Sequence, residues 1–258
     1  MSPRACEVLK SADVIACEDT RVTGILLSRL GITGKRLISY HEHNKAASGN
    51  GILDLLRSGL NVAQVSDAGM PAISDPGADL ALLAYENDIE VSVIPGPSAV
   101  TAALSISGLD TRYFHFEGFL PSEGSKRHER LKALTLTGET IVLYEAPHRL
   151  KKLLDELVEA GFGGSRIALC RELTKKYEEV LRMTVTEAVE YYKNTEPRGE
   201  FCICLEPLEQ KTMVEAGDGN ALIALLKEKG MSSKDIAAVV SEYTGMNKKE
   251  AYKIASGS

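Results

Sequence analysis

The chain has no apolar run near the roughly 20 residues that a membrane-spanning helix needs, and its opening MSPRACEVLK lacks the apolar core of a signal peptide. Cysteine is scarce, with five in 258 residues at positions 6, 17, 170, 202 and 204. An odd count without metal-ligand spacing argues against a disulfide framework and for reduced thiols in a cytoplasmic setting. Cys202 and Cys204 fall on one face of an apparent strand, where core packing suits them. Positive charge is not in excess either. A formal net charge of −6 argues against a protein that coats nucleic acid indiscriminately. It leaves room for docking through a local basic surface, for which Lys126, Arg127, His128, Arg130 and Lys132 are one candidate and Lys248, Lys249 and Lys253 another. The alternative for each is a solvated helix face. The glycines at 161–164 precede a strand, so they are a turn and not a phosphate-binding fingerprint.

What is present is an alternation of strand-like and helical patterns. Strand-like runs at 13–18, 36–40, 62–65 and 90–94 are separated by helical spacing at 20–30, 45–58 and 79–86. Such alternation predicts a mostly parallel sheet covered on both faces. Gly108 breaks the pattern and sets a boundary, giving an N-terminal α/β domain over 1–109. From 110 to 208 the runs at 114–119, 140–144, 167–171, 178–183 and 200–205 are closer together and include a hairpin near Lys175, which predicts a second α/β domain with a mixed sheet. A polar stretch follows, and 217–258 reads as a small helical tail. The fold class is therefore α/β, two α/β domains with a cleft between them plus a C-terminal helical segment.

Two strand ends carry loops of small residues. The first, SDAGMPAISDPG at 66–77, closes on Asp75 and Pro76, which read as the cap and first turn of a helix. The second, PGPSA at 95–99, opens a helix at Ser98. Loops at the carboxyl ends of strands in an open α/β sheet form the ligand crevice, and loops this poor in bulk suggest a ligand held largely by backbone. Strand ends at Tyr144 and Glu145 and at Arg171 and Glu172 face the same expected crevice. Glu18, Asp19 and Arg21 stand at the first strand end, where the acids either pair with Arg21 or receive substrate donors. His41 and His43 form an H-x-H, read as a polar loop in preference to a zinc site, because no third ligand of obvious spacing accompanies them.

The set CEDTR (17–21), HEHN (41–44), SDAGMPAISDPG (66–77), PGPSA (95–99), EGFLP (117–121), YEAPHR (144–149), RELTK (171–175) and RGE (198–200) resembles the ribosomal RNA small subunit methyltransferase I group of the tetrapyrrole methylase superfamily. The resemblance spans the chain, with the motifs in the expected order. It implies an S-adenosylmethionine-dependent enzyme that methylates the ribose 2′-hydroxyl of a cytidine in 16S rRNA within the small ribosomal subunit, acting as a cytoplasmic homodimer with no membrane association. The group's pattern opens with a strand and a Thr-Pro-Ile-Gly-Asn-Leu loop, whereas here Ser2 and Pro3 already begin the first helix. The alternatives are a precorrin or porphyrin methylase, or a truncated non-catalytic form that binds cofactor or ribosome.

By motif position, the resemblance implies cofactor contacts from Asp67, Ala68, Gly69, Met70, Pro71, Ser98 and Ala99, with Tyr144, Arg171 and Gly199 from the second domain. A ribose hydroxyl is a weak nucleophile and needs an acceptor for its proton. Glu145, His148 and Glu172 are candidates, and no choice among them follows from sequence. Arg149 and Lys175 are able to hold phosphate, although Glu145 and Arg149 alternatively form an ion pair with each other. Glu18, Arg21, His41, His43, Lys126 and Arg127 complete the expected substrate-binding set. No metal is expected.

Overall fold

The structure is a computed structural model that describes residues 1–41, 44–209 and 219–257. Two compact units emerge, Met1–Leu208 and Glu209–Ser258. The larger contains two sheets. In the first, β1 (Val14–Cys17) lies between β2 (Arg36–Ser39) and β3 (Val62–Val65), with both pairings parallel. The helices are α1 (Pro3–Ser11), α2 (Thr20–Arg29), α3 (Lys45–Arg57) and α4 (Ala78–Tyr85). Alternate residues of β1 point to opposite faces, which is why Ile15 packs with Leu9, Leu27 and Ile32 while Ala16 packs with Tyr40, Ile52 and Leu80. Burial on both faces explains the unbroken apolar run Val-Ile-Ala-Cys.

The expected strand at 90–94 does not form. Among the described residues β3 pairs with β1 alone, and 90–94 does not add to its open edge. Val91 and Val93 are accordingly 58% and 69% exposed. Apolar composition was present; ladder hydrogen bonds were not.

The second sheet has the order β4-β5-β8-β6-β7. Its strands are β4 (Phe114–Phe119), β5 (Thr140–Glu145), β6 (Arg166–Arg171), β7 (Glu179–Thr184) and β8 (Phe201–Leu205). Only β4 and β5 run parallel; the remaining pairs are antiparallel. One face packs against α6 (Ser125–Leu134), α7 (Pro147–Glu159) and α8 (Val185–Asn194) through a core that includes Leu143, Leu153, Leu157, Phe162 and Ile203. The opposite face is covered by α5 (Ala99–Ser107), whose Val100, Ala103 and Leu104 meet Val142, Ala168, Cys170, Cys202 and Cys204. Helix α5 precedes the expected boundary at 109, yet its packing belongs to the second sheet. All three of those cysteines are buried thiols.

The smaller unit is three helices, α9 (Gly219–Glu228), α10 (Ser233–Thr244) and α11 (Lys248–Ser256), around Ile223, Ile236, Val240 and Ala251. Ser232 caps α10 by accepting the Asp235 N–H, and the Asp235 carboxylate accepts the Ser232 hydroxyl in return.

Candidate functional site

Antiparallel pairing brings the end of β5, the end of β6 and the start of β8 to one edge, because Glu145 and Arg171 both lie opposite Phe201. The loops after β3 and before α5 face that edge across a cavity of about 420 Å³. Ala68, Gly69, Met70, Ser98 and Ala99 line one wall. Tyr144, Glu145, Glu172 and Lys175 line the other. Nine of the sequence-derived site residues therefore share one hollow.

The two loops of the first wall are fitted to each other. A Cβ on Gly96 would lie 3.2 Å from the Met70 sulfur, and one on Gly69, at φ +80°, would lie 3.6 Å from the Pro97 carbonyl. Ser98 stands at the N-cap of α5 without using its side chain as a cap. The Tyr144 hydroxyl lies toward the Val100 N–H, and burial pushes its pKa up to about 12. Tyr144 also meets the rings of Phe116 and Phe119 at centroid distances of 5.2 and 5.4 Å, which leaves the half-exposed Phe119 as an aromatic surface in the wall.

Glu145 is 2% exposed. Its Oε1 accepts the Ala146 N–H at 2.9 Å and sits 3.1 Å from Arg149 Nε. Its Oε2 is buried with no hydrogen-bond partner among the described residues. Burial raises its pKa against the opposing pull of the Ala146 N–H and Arg149. The Glu145–Arg149 ion pair anticipated as an alternative is thus present, and it occupies only one carboxylate oxygen.

Glu172 differs. Lys175 Nζ lies 3.0 Å from Glu172 Oε1 and 2.8 Å from Glu200 Oε2. The Lys175 hydrogen bond is the main cause holding the Glu172 carboxyl below its usual range. Glu172 and Thr174 have φ of 50° and 64°, and Ala72 and Ser74 across the cavity have 69° and 61°. Left-handed non-glycine residues are strained and concentrate at functional sites.

The other expected residues lie elsewhere. Asp67 is exposed, with its N–H donated to Glu18 Oε2 at 3.2 Å. Pro71, Arg171 and Gly199 border the cavity without lining it; Arg171 Nε stands 3.2 Å from Glu179 Oε2 at an angle that makes no hydrogen bond. His148 is exposed on α7, and Lys126 is exposed on α6. Arg21 is exposed and holds Asp19, lowering that carboxyl to about 2. The His41 N–H is donated to Asn44 Oδ1. His43 lies outside the described residues.

Two expectations are corrected. Arg127 is not on a basic surface: it is 2% exposed, paired with Glu156 and bonded to the Pro121 carbonyl. Asp75 does not cap α4, whose N-cap is Gly77, held at φ +145° and making no side-chain cap bond. Asp75 lines the cavity instead. Burial first, and then the nearby Glu18 and Asp67 carboxylates, push its pKa up to about 6. Sequence reasoning missed this because an acid before Pro-Gly reads as a helix start. The accumulation of acids at the neighbouring strand end was the available signal.

Gly199 offers a direct test of the wall. At φ +76°, a Cβ there would meet Glu172 Cγ at 2.5 Å. Gly199→Ala should cost about 1–2 kcal/mol from backbone conformation alone, a fall in Tm of about 2–4 °C or more. An unchanged melting curve would show that the wall is not packed as described.

A sequence model of the family described as Tetrapyrrole (Corrin/Porphyrin) Methylases matches residues 1–189. The ribosomal RNA small subunit methyltransferase I of Halalkalibacterium halodurans is 43% identical over 97% of this chain and 88% of its own length. The Escherichia coli O157:H7 protein of that name is 39% identical over 99% and 89%. Among solved structures, the cobalt precorrin-4 methyltransferase CbiF superposes with a TM-score of 0.58 at 20% identity, covering 79% of this chain and 88% of that one. Uroporphyrin-III-C-methyltransferase from Thermus thermophilus gives 0.56 at 22% identity, covering 79% and 87%.

Proposed function

Since this chain belongs to the tetrapyrrole methylase family and within it to the ribosomal RNA small subunit methyltransferase I group, we propose that it methylates the ribose 2′-hydroxyl of a cytidine in 16S rRNA of the small ribosomal subunit, with S-adenosylmethionine as donor. The methyltransferase activity follows from the family. The observation that supports the finer reading is the cavity, where the two glycine-rich loops oppose Tyr144 and Glu145.

The residues present suit that donor. Its volume of about 420 Å³ lies within the usual range for small-ligand sites. A buried carboxylate oxygen without a partner, Glu145 Oε2, asks for a ligand donor such as an ammonium or a hydroxyl. Ser98 and Ala99 at the start of α5 suit a carboxylate, since first-turn N–H groups lack intrahelical partners. Met70, Tyr144 and Phe119 supply apolar surface. When bound, S-adenosylmethionine supplies an electron-poor methyl on a sulfonium. The chain's contribution is to align that methyl with the acceptor oxygen and to exclude water.

On this reading Glu18, Arg21, His41, His43, Lys126 and Lys175 meet RNA, Arg149 acts through Glu145, and the protein works as a cytoplasmic homodimer. Its lobes divide near 109 along the chain, and the helices from Gly219 onward contact RNA or a partner. Purified protein with labelled S-adenosylmethionine and small subunits lacking the modification should yield 2′-O-methylcytidine on nucleoside analysis. Label confined to protein, or to a base instead of a ribose, would overturn the reading.

A further inference from the structure

Among the described residues four carboxylates line the cavity: Asp75, Glu145, Glu172 and Glu200. Three are matched with a cation, Glu145 with Arg149 and the other two with Lys175. Asp75 has neither an ion pair nor a hydrogen bond to its side chain among the described residues. The capping role its sequence context suggested is filled by Gly77.

The backbone on either side of it is locally constrained. Ala72 and Ser74 occupy left-handed conformations at 69° and 61°. On the other side, Gln64 Nε2 donates to the Pro76 carbonyl at 2.6 Å, and a Cβ on Gly77 would strike that same amide at 2.1 Å. A carboxylate at a cavity wall, half-buried and without a cation or hydrogen bond among the described residues, has no structural task in the fold. The cavity carries an independent sign of a ligand, since Glu145 Oε2 is buried opposite with no donor.

Resting on the ribose-methylation reading, we propose that Asp75 is the proton acceptor of the transfer step. The acceptor hydroxyl's O–H bond breaks and its proton passes to the Asp75 carboxylate. The same oxygen forms its bond to the methyl carbon while the carbon–sulfur bond of the sulfonium breaks, leaving a neutral thioether. The Asp75 carboxylic acid then returns its proton to water. Charge balances, since one cation and one carboxylate become a neutral thioether and a neutral acid.

The surroundings fit this task. Glu18 from the end of β1 and Asp67 from the loop after β3 raise Asp75's proton affinity, with burial the larger cause; Tyr144 faces it from β5. A general base works best with a pKa near the working pH, and Asp75 is pushed up to about 6. Glu172 is held the other way by Lys175 and is the poorer base. His148 does not line the cavity.

Two measurements test the assignment. In ligand-free protein, carbon-13 titration of the carboxyl groups should show a resonance with its midpoint near 6 that is missing from Asp75→Asn. In the transfer assay, Asp75→Asn should lower kcat about 100-fold or more, with little change in the KM for S-adenosylmethionine. The variant should also lose the acid limb of the wild-type kcat profile, and Asp75→Glu should restore part of the rate. Matching melting curves exclude a folding defect. A midpoint in the ordinary carboxylate range would overturn the proposal. So would an Asp75→Asn rate within about threefold of wild type, or an acid limb that disappears in Glu145→Gln and persists in Asp75→Asn. If wild-type protein methylates no ribose, the reading of the substrate fails and this assignment falls with it. If it does and Asp75→Asn behaves as wild type, the assignment fails alone.

Discussion

Glu156→Ala is expected to lower the unfolding free energy by about 3–5 kcal/mol, the cost of leaving a buried charge without its partner. The charge is Arg127, 2% exposed on α6. Its Nε and Nη2 reach Glu156 Oε2 at 2.9 and 2.6 Å, and Nη1 reaches the Pro121 carbonyl at 2.8 Å. Removing the carboxylate strands a guanidinium between α6 and α7. The double variant Arg127→Met/Glu156→Leu should recover most of the loss, because an apolar pair of similar volume is often neutral relative to a buried ion pair. Urea denaturation reads both. Methyl transfer per folded molecule should be unchanged in the double variant, since neither residue lines the transfer cavity. A loss below about 1 kcal/mol in Glu156→Ala would place the pair with ordinary surface salt bridges and refute the structural role.

Arg149→Met should have a comparable effect with a pH signature. Arg149 faces Glu145 at 3.1 Å and donates to the Leu120 and Pro121 carbonyls. Without it, Glu145 keeps the Ala146 N–H alone, and a loss of about 3 kcal/mol at neutral pH follows from the unpaired buried carboxylate. The Glu145 carboxyl is raised by burial even in the intact protein. Its folded form therefore holds a proton that the unfolded chain has released, so stability falls as pH rises from the unfolded value through the folded one. Removing Arg149 raises the folded value further, which deepens the loss and extends it upward in pH. Urea midpoints measured on either side of that window should diverge from wild type at the higher pH and converge at the lower. Adding Glu145→Gln should flatten the dependence. A variant whose deficit is the same across the window would exclude Glu145 as its origin.

Much of this architecture was legible because the signals were local. The buried run Val-Ile-Ala-Cys, the small-residue loop after Val65 and the strand ends at Tyr144 and Arg171 each carry their own pattern, and the cavity gathers residues from that loop and around both strand ends. What was not legible depended on distant partners. Arg127 reads as one of five basic residues between 126 and 132 until Glu156, 29 residues on, is seen to hold it. The 90–94 run reads as a strand until its lack of ladder hydrogen bonds appears. Asp75 reads as a cap because a sequence gives no φ for Gly77, the residue that takes the position. Helix α5 looks like part of the first lobe because chain order precedes packing, yet its apolar face matches the second sheet.

The two sheets differ in how much they hold down. Three strands of four residues, with no pairing along either outer edge among the described residues, carry the loops with Met70 and Asp75. Five longer strands over an extensive apolar interior carry Tyr144 and Glu145. Local opening follows the weaker half, so the mould that shapes the ligand is fixed on one side and breathes on the other. Amides of 62–77 should exchange with deuterium ahead of those of 141–145, and a bound ligand should slow the first group far more than the second. Access to the hollow is then set by the thinner sheet, while the thicker one keeps the imprint.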